Sequence, residues 1–182
     1  MALLTPFNKM PELNTANILL VENEEQFQTK LADVIVNYEK QINVNVRLAR
    51  KLPLPIENAD TRPRIDLVVF IVNLIYERSL QAMESSIKHL DSGFFVGKVC
   101  FLVTGARCGS VSHERLLSVR KLAASLHCPM LCAEDQTTEG VRAAALRLLS
   151  IVKVSAGLVP TATALYLSAL TRCTLPAELD QD

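Results

Sequence analysis

Asn17-Ile18-Leu19-Leu20-Val21-Glu22-Asn23-Glu24-Glu25-Gln26-Phe27-Gln28-Thr29 decides the fold. Its first five residues are a short apolar run bounded by polar ones, the pattern of a buried strand. From Phe27 onward the period changes. Phe27, Leu31, Val34, Ile35 and Tyr38 fall on one helical face. Strand, eight-residue window Glu22–Thr29 and helix is the layout of a phosphate-binding P-loop, which requires Gly-x-x-x-x-Gly-Lys-[Ser/Thr]. Glu22 and Phe27 stand where the glycines belong and Gln28 where the lysine belongs; only Thr29 fits. The glycines let backbone N–H groups wrap a phosphate, and the lysine neutralises it. Here three carboxylates, Glu22, Glu24 and Glu25, occupy the loop. At an effective dielectric of 20, two like charges about 4 Å apart repel by roughly 4 kcal/mol. Micromolar binding amounts to only about −8 kcal/mol in all. The window therefore does not hold a triphosphate. Its glutamates read as acidic residues complementing a helix N-terminus.

Outward from this window the chain alternates between two periods. Ile42, Val44, Val46 and Leu48 alternate with Asn43, Asn45 and Arg47, predicting a strand with one covered face. Pro53, Pro55 and Pro63 make a loop of Leu52–Arg64. Ile65–Val72 is the most apolar run and predicts a central strand covered on both sides. Ser79 is placed to cap a helix bearing Leu80, Met83, Ile87 and Leu90. Val99–Val103 predicts a strand, and Leu116, Val119, Ala123 and Leu126 a helix. Met130–Ala133 predicts a last short strand. Thr137 or Thr138 caps a helix with Val141, Ala145, Leu148 and Val152 on one face, and a final helix covers about 162–172. This order predicts an α/β, three-layer domain over residues 1–182: a mostly parallel sheet with helices on both faces. Ligands in such folds sit at the carboxyl ends of the strands.

Those ends lack the side chains that nucleotide chemistry needs. The central strand ends in Phe70-Ile71-Val72-Asn73, so a receiver-type phospho-accepting aspartate is absent. Thr104-Gly105-Ala106-Arg107-Cys108 and Cys132-Ala133-Glu134 offer neither Asn-Lys-x-Asp nor Ser-Ala-Lys to read guanine. His127, Cys128 and Cys132 have metal-like spacing but lack a second ligand pair, since Cys108 and His113 lie far off. A closed zinc site needs four ligands, and core-facing cysteines are the reading adopted. No metal, cofactor or catalytic residue is assigned. Arg47, Arg50, Lys51, Arg62 and Arg64 gather around the proline loop, diluted by Glu57 and Asp60.

With 19 basic and 19 acidic side chains the net charge is zero, which disfavours nucleic acid as the main partner. Zero charge with a mean hydropathy of +0.23 also leaves little to keep copies apart, a first pointer to a protein partner. The opening residues lack a basic segment followed by an apolar run, and five cysteines is an odd number. Reduced thiols in the nucleus or cytosol are expected. Val154–Leu170 is uncharged, but Gly157, Pro160 and its many small residues argue against a membrane span. Two features exceed what a closed domain needs. Phe94-Phe95-Val96 sits in a short helix-to-strand connection, and the last helix is apolar nearly all round. Phe94, Phe95, Val96, Leu158, Val159 and Leu165 are the candidate partner-binding residues.

Four strings carry a resemblance. They are Asn14–Val21, Leu52-Pro53-Leu54-Pro55, Arg62–Phe70 and Phe94–Leu102, and with Ala156-Gly157-Leu158-Val159-Pro160 they cover nearly the whole chain. Together they resemble the centromere protein M family. The resemblance implies a small-GTPase-like fold that has lost nucleotide binding and switching. It implies a non-enzymatic subunit of the inner kinetochore, in the nucleus at the centromere. Partners would be centromere proteins I, H and K; no nucleotide and no membrane are expected, and the balanced charge disfavours direct DNA contact by the isolated chain. A small GTPase also has a hairpin strand before its central strand, and Leu52–Arg64 is too short and proline-rich for one. That strand is expected to be missing or rebuilt. The competing readings are a divergent nucleotide-handling enzyme and DNA binding through the Arg47–Arg64 loop.

Overall fold

The computed structural model describes residues 3–6, 9–55 and 61–173. In chain order the elements are β1 (Thr15–Val21), α1 (Phe27–Tyr38), β2 (Asn43–Ala49), β3 (Leu67–Asn73), α2 (Glu77–Ile87), β4 (Val99–Thr104), α3 (His113–Ser125), β5 (Met130–Cys132), α4 (Thr138–Ser155) and α5 (Ala164–Cys173). A single 3-10 turn, Ser92–Phe95, joins α2 to β4. The five strands form one sheet in the order β2-β1-β3-β4-β5. Every pairing is parallel, with Leu19 between Arg47 and Val68 and Phe70 beside Phe101. The chain leaves β1 for one edge and returns to β3 on the other side, so the strand order reverses beside the C-terminal end of β1.

Period-two alternation divides the core in two. Leu19, Val21, Val68, Phe70, Val72, Val99, Phe101 and Val103 face α2 and α3, where Met83, Val119 and Ala123 meet them. Ile18, Leu20, Leu67, Val69, Ile71, Cys100 and Leu102 face α1 and α4, against Leu31, Ile35, Ala145 and Leu148. Both faces of β1, β3 and β4 are buried, as a central parallel sheet requires. The α/β three-layer reading holds. Among the described residues between β2 and β3 there is no strand. Leu52 and Ile65 instead tuck under the α2–α3 face, where the Leu52 N–H donates to Ser86 Oγ at 3.1 Å.

Local signals performed unevenly. Thr137 caps α4 as expected, its Oγ1 accepting from Gly140 N–H at 3.0 Å. Ser79 does not cap α2. The helix begins at Glu77 behind Tyr76, and Ser79 Oγ accepts from Asn73 N–H at 3.0 Å. That serine ties the end of β3 to the following helix, a tertiary task that the cap pattern cannot express. Leu48 departs from the alternation and is 46% exposed, because β2 lies at the sheet edge and no described element covers it there.

Candidate functional site

At the C-terminal end of β1 the place for an anion is already taken. Glu22 is buried, and its Oε2 accepts the backbone N–H groups of Phe27 at 3.0 Å and Gln28 at 2.8 Å. These belong to the first turn of α1, whose N-terminus would otherwise attract a phosphate. The Gln26 cap makes no side-chain bond, so Glu22 is what satisfies those donors. Gln28 is buried where a P-loop lysine would extend. With its amide nitrogen turned to the sheet it donates to the carbonyls of Leu20 and Ala49, each at 3.3 Å. Thr29, the one residue matching the motif, is exposed on the helix surface. Glu24 receives Asn23 Nδ2 and Arg78 Nε, both at 3.1 Å, and Arg78 lies over the Tyr76 ring. Glu25 pairs with Arg50 at 2.6 Å, which holds its carboxyl below the usual range.

Burial raises the Glu22 carboxyl above its ordinary value, and the charges of Glu24 and Asp135 add to that; the two N–H bonds pull the other way. A raised carboxyl means that the folded state binds the proton more tightly than the unfolded chain. Its stabilising contribution is complete below the ordinary pKa of 4.5 and disappears as pH rises through the folded value. Glu22→Gln keeps an oxygen acceptor and removes the proton. Its melting temperature relative to wild type is therefore expected to be highest near neutral pH and to fall toward pH 4. Parallel pH profiles of the two proteins would overturn this account of the site.

Beyond β3, a cavity of about 360 Å3 opens among Ile75, Gly105–Cys108 and Cys132–Gln136. Its polar lining includes the carboxyl groups of Glu134 and Asp135 and the amide of Gln136. Arg107 is exposed and pairs with Glu134 at 3.6 Å, and Cys108 Sγ lies 3.1 Å from Ser110 Oγ. Asn73 Oδ1 accepts from Ile75 N–H at 3.0 Å, so the end of the central strand is spent on a turn. The cysteines and histidines do not assemble: no metal-holding group exists among the described residues. Cys128 is buried, its thiol pushed up to about 12, whereas Cys132 is exposed rather than core-facing because β5 is the other sheet edge. The basic loop is partly neutralised. Arg50 holds Glu25, Arg64 meets Asp66 at 2.9 Å, and Arg62 donates to the Pro55 carbonyl at 2.8 Å.

The candidate contact residues separate. Phe94 is fully buried in the core on the α2–α3 face, so it has no surface to offer a partner. The 3-10 turn rotates its ring inward beneath the Asp91 cap, and this candidate is withdrawn. Phe95 is half-buried against the same core, and Val96 is 37% exposed. Leu158 and Val159 are half-buried in the α4–α5 connection, Leu158 against the α1–α4 core. Leu165 is 64% exposed, and its neighbour Tyr166, which sequence reasoning did not single out, 54%. The final helix is thus not covered on all sides; its first half is open. The end of α4 and the start of α5 both meet the N-terminal end of β4. Gly97, with φ +84°, lies against the Ala164 backbone. Ser155 Oγ donates to the Gly97 carbonyl at 2.6 Å, and Lys98 Nζ to the Ser155 carbonyl at 2.7 Å. The missing side chain of Gly97 is what lets the Ala164 backbone approach this closely.

A family model for centromere protein M matches residues 1–174. The chain belongs to the centromere protein M family. A zebrafish (Danio rerio) centromere protein M is 67% identical over 183 residues, taking in 100% of this chain and 98% of the relative. The Xenopus laevis protein is 41% identical over 180 residues, covering 98% and 99%. The human protein is 44% identical over 173 residues, covering 94% of each. The family match spans both the filled anion seat and the exposed start of α5, so both belong to the family's domain rather than to an appended segment. By family this is a centromere protein.

Proposed function

We propose that the chain is a non-catalytic interaction subunit of the inner kinetochore, built on a small-GTPase-like scaffold whose nucleotide seat is closed. The observation that carries this is the Glu22 carboxylate bonded to the Phe27 and Gln28 N–H groups. The strongest anion site of a P-loop layout is occupied by the chain itself, and a phosphate entering beside it meets charge repulsion. The five-strand parallel order, with no strand between β2 and β3 among the described residues, suits a scaffold that has lost its hairpin strand and switch segments. In this reading the domain works by its surface, in the nucleus at the centromere. It binds and stabilises subunits needed for kinetochore assembly and chromosome segregation. Centromere proteins I, H and K are the proposed partners. The contact lies where α5 starts, with Leu165 central, Tyr166 beside it and Val96 and Val159 at the rim.

Size-exclusion co-elution with these three subunits tests the reading. The wild-type chain is expected to co-elute. Leu165→Glu is expected to melt at the wild-type temperature and to lose co-elution, since a charge placed in a desolvated contact is left unpaired. Millimolar GDP or GTP with Mg2+ is expected to produce no binding heat. Normal co-elution of the variant removes α5 as the contact, and a saturable nucleotide isotherm replaces this reading with that of a divergent nucleotide-handling protein.

A further inference from the structure

We propose that the free edge of β2 is a second binding site, which takes an extended segment of another protein with alternating apolar and acidic side chains as a sixth strand. β2 is seven residues long and ends the sheet among the described residues. Its odd-numbered residues carry the ladder to β1: Asn43 N–H donates to the Asn14 carbonyl at 2.8 Å, and the Ala49 carbonyl accepts from Glu22 N–H at 3.0 Å. In a parallel ladder the intervening residues point the other way. Val44, Val46 and Leu48 therefore turn their N–H and C=O groups outward. The usual protections of an edge are missing, for the strand contains no proline and only one charge, Arg47.

The two faces of this edge determine what fits. Val44 and Val46 side chains pack toward the α1–α4 core, and Leu48, in the same register, is half open. Val36 of α1 is also exposed, on the flank of that helix turned away from Tyr38, which meets Arg142 of α4. Asn43, Asn45 and Arg47 point to the opposite face, and Lys51 follows at the exit of the strand. Arg47 and Lys51 are exposed and form no ion pair among the described residues. An added strand places its side chains in register with those of β2. Residues opposite Val44, Val46 and Leu48 meet apolar surface, the one opposite Arg47 meets a cation, with Lys51 just beyond the strand, and the one opposite Asn45 meets a neutral amide. This is recognition by main-chain bonds for affinity and alternate side chains for specificity. It rests on residues other than those of α5, so either proposal can fail while the other stands.

The probe is a fluorescein-labelled heptapeptide, Glu-Val-Glu-Val-Glu-Val-Glu, titrated against the full chain by fluorescence anisotropy. Saturable binding that weakens with salt is expected, together with slowed amide exchange at Val44, Val46 and Leu48. Val46→Pro removes an outward N–H that the fold does not use, so the chain is expected to stay folded, with a lower melting temperature from the lost half-buried valine, while affinity falls at least about tenfold. If that variant does not fold, the wild-type chain with the peptide N-methylated at alternate residues decides, and the methylated peptide is expected not to bind. Absence of saturable binding, equal binding of the methylated peptide, or protection outside β2 overturns the proposal. So does a dimer of the free chain with those three amides already protected, which would make a second copy the occupant.

Discussion

Phe94→Ala is expected to destabilise the domain by about 3–5 kcal/mol, the range for removing a fully buried phenylalanine. The ring has no exposed surface and belongs to the same cluster as Leu90, Val99 and Phe101. The backbone around it is fixed. Phe94 N–H donates to the Asp91 carbonyl at 3.1 Å, and the Phe94 carbonyl accepts from Lys98 N–H at 3.0 Å. A turn held at both ends does not collapse into the space left behind, which places the cost toward the upper part of the range. At about 2–4 °C per kcal/mol for a domain of this size, the melting temperature falls by roughly 6–20 °C. Phe95→Ala, removing a half-buried ring from the rim of the same core, is expected to cost less than half as much. Thermal melting followed by circular dichroism measures both. A Phe94→Ala variant that melts with the wild type and loses its partner would return this ring to the surface and refute the core assignment.

The order of elements was legible because each carries its own period. Ile65–Val72 is too uniformly apolar to be half-covered, and the structure buries all of β3. Phe27, Leu31 and Ile35 announce one face of α1, and all three are buried. The negative half of the site was legible too, since the absence of glycines and of a lysine from Glu22–Thr29 is a property of residue types. What replaced them was not. That Glu22 folds back by five and six residues onto the Phe27 and Gln28 N–H groups depends on the path of the loop, including Glu25 at φ +57°. The sequence offers three glutamates as equals. The structure separates them into a buried helix acceptor, a partner of Arg78 and a surface partner of Arg50.

Which of the candidate contact residues are exposed depends on their place in the fold. Phe94, Phe95 and Val96 are adjacent and apolar, and nothing in their order tells which enters the core. A 3-10 turn decides it, because successive side chains point about a third of a turn apart. Leu165 and Tyr166 are open for a topological reason: α5 follows the last strand-covering helix and arrives where both faces of the sheet are already closed. An apolar helix in that position remains partly uncovered in the isolated chain, consistent with the zero net charge and positive hydropathy of the whole.

Gly97→Ala is expected to release α5 while leaving the sheet intact. An added Cβ would lie 1.8 Å from the Ala164 carbonyl oxygen and 2.4 Å from its carbonyl carbon. Both are backbone atoms, so no rotamer change relieves the overlap. The φ of +84° adds about 1–2 kcal/mol for a residue with a Cβ. Of the elements meeting here, β4 is locked inside the sheet between β3 and β5, whereas α5 lies outside it and leaves Leu165 and Tyr166 open. The helix is therefore what moves. Its amides are expected to lose their exchange protection, the Pro160–Thr163 connection to become sensitive to protease, and co-elution with partners to disappear together with that of Leu165→Glu. Gly97→Asn separates the two causes. Asparagine tolerates positive φ but still carries a Cβ, so a steric origin predicts a defect as large as that of alanine, and a conformational origin predicts recovery. Full protection of the α5 amides in Gly97→Ala would show that the helix is not seated on this glycine, and the proposed contact surface would lose its anchor.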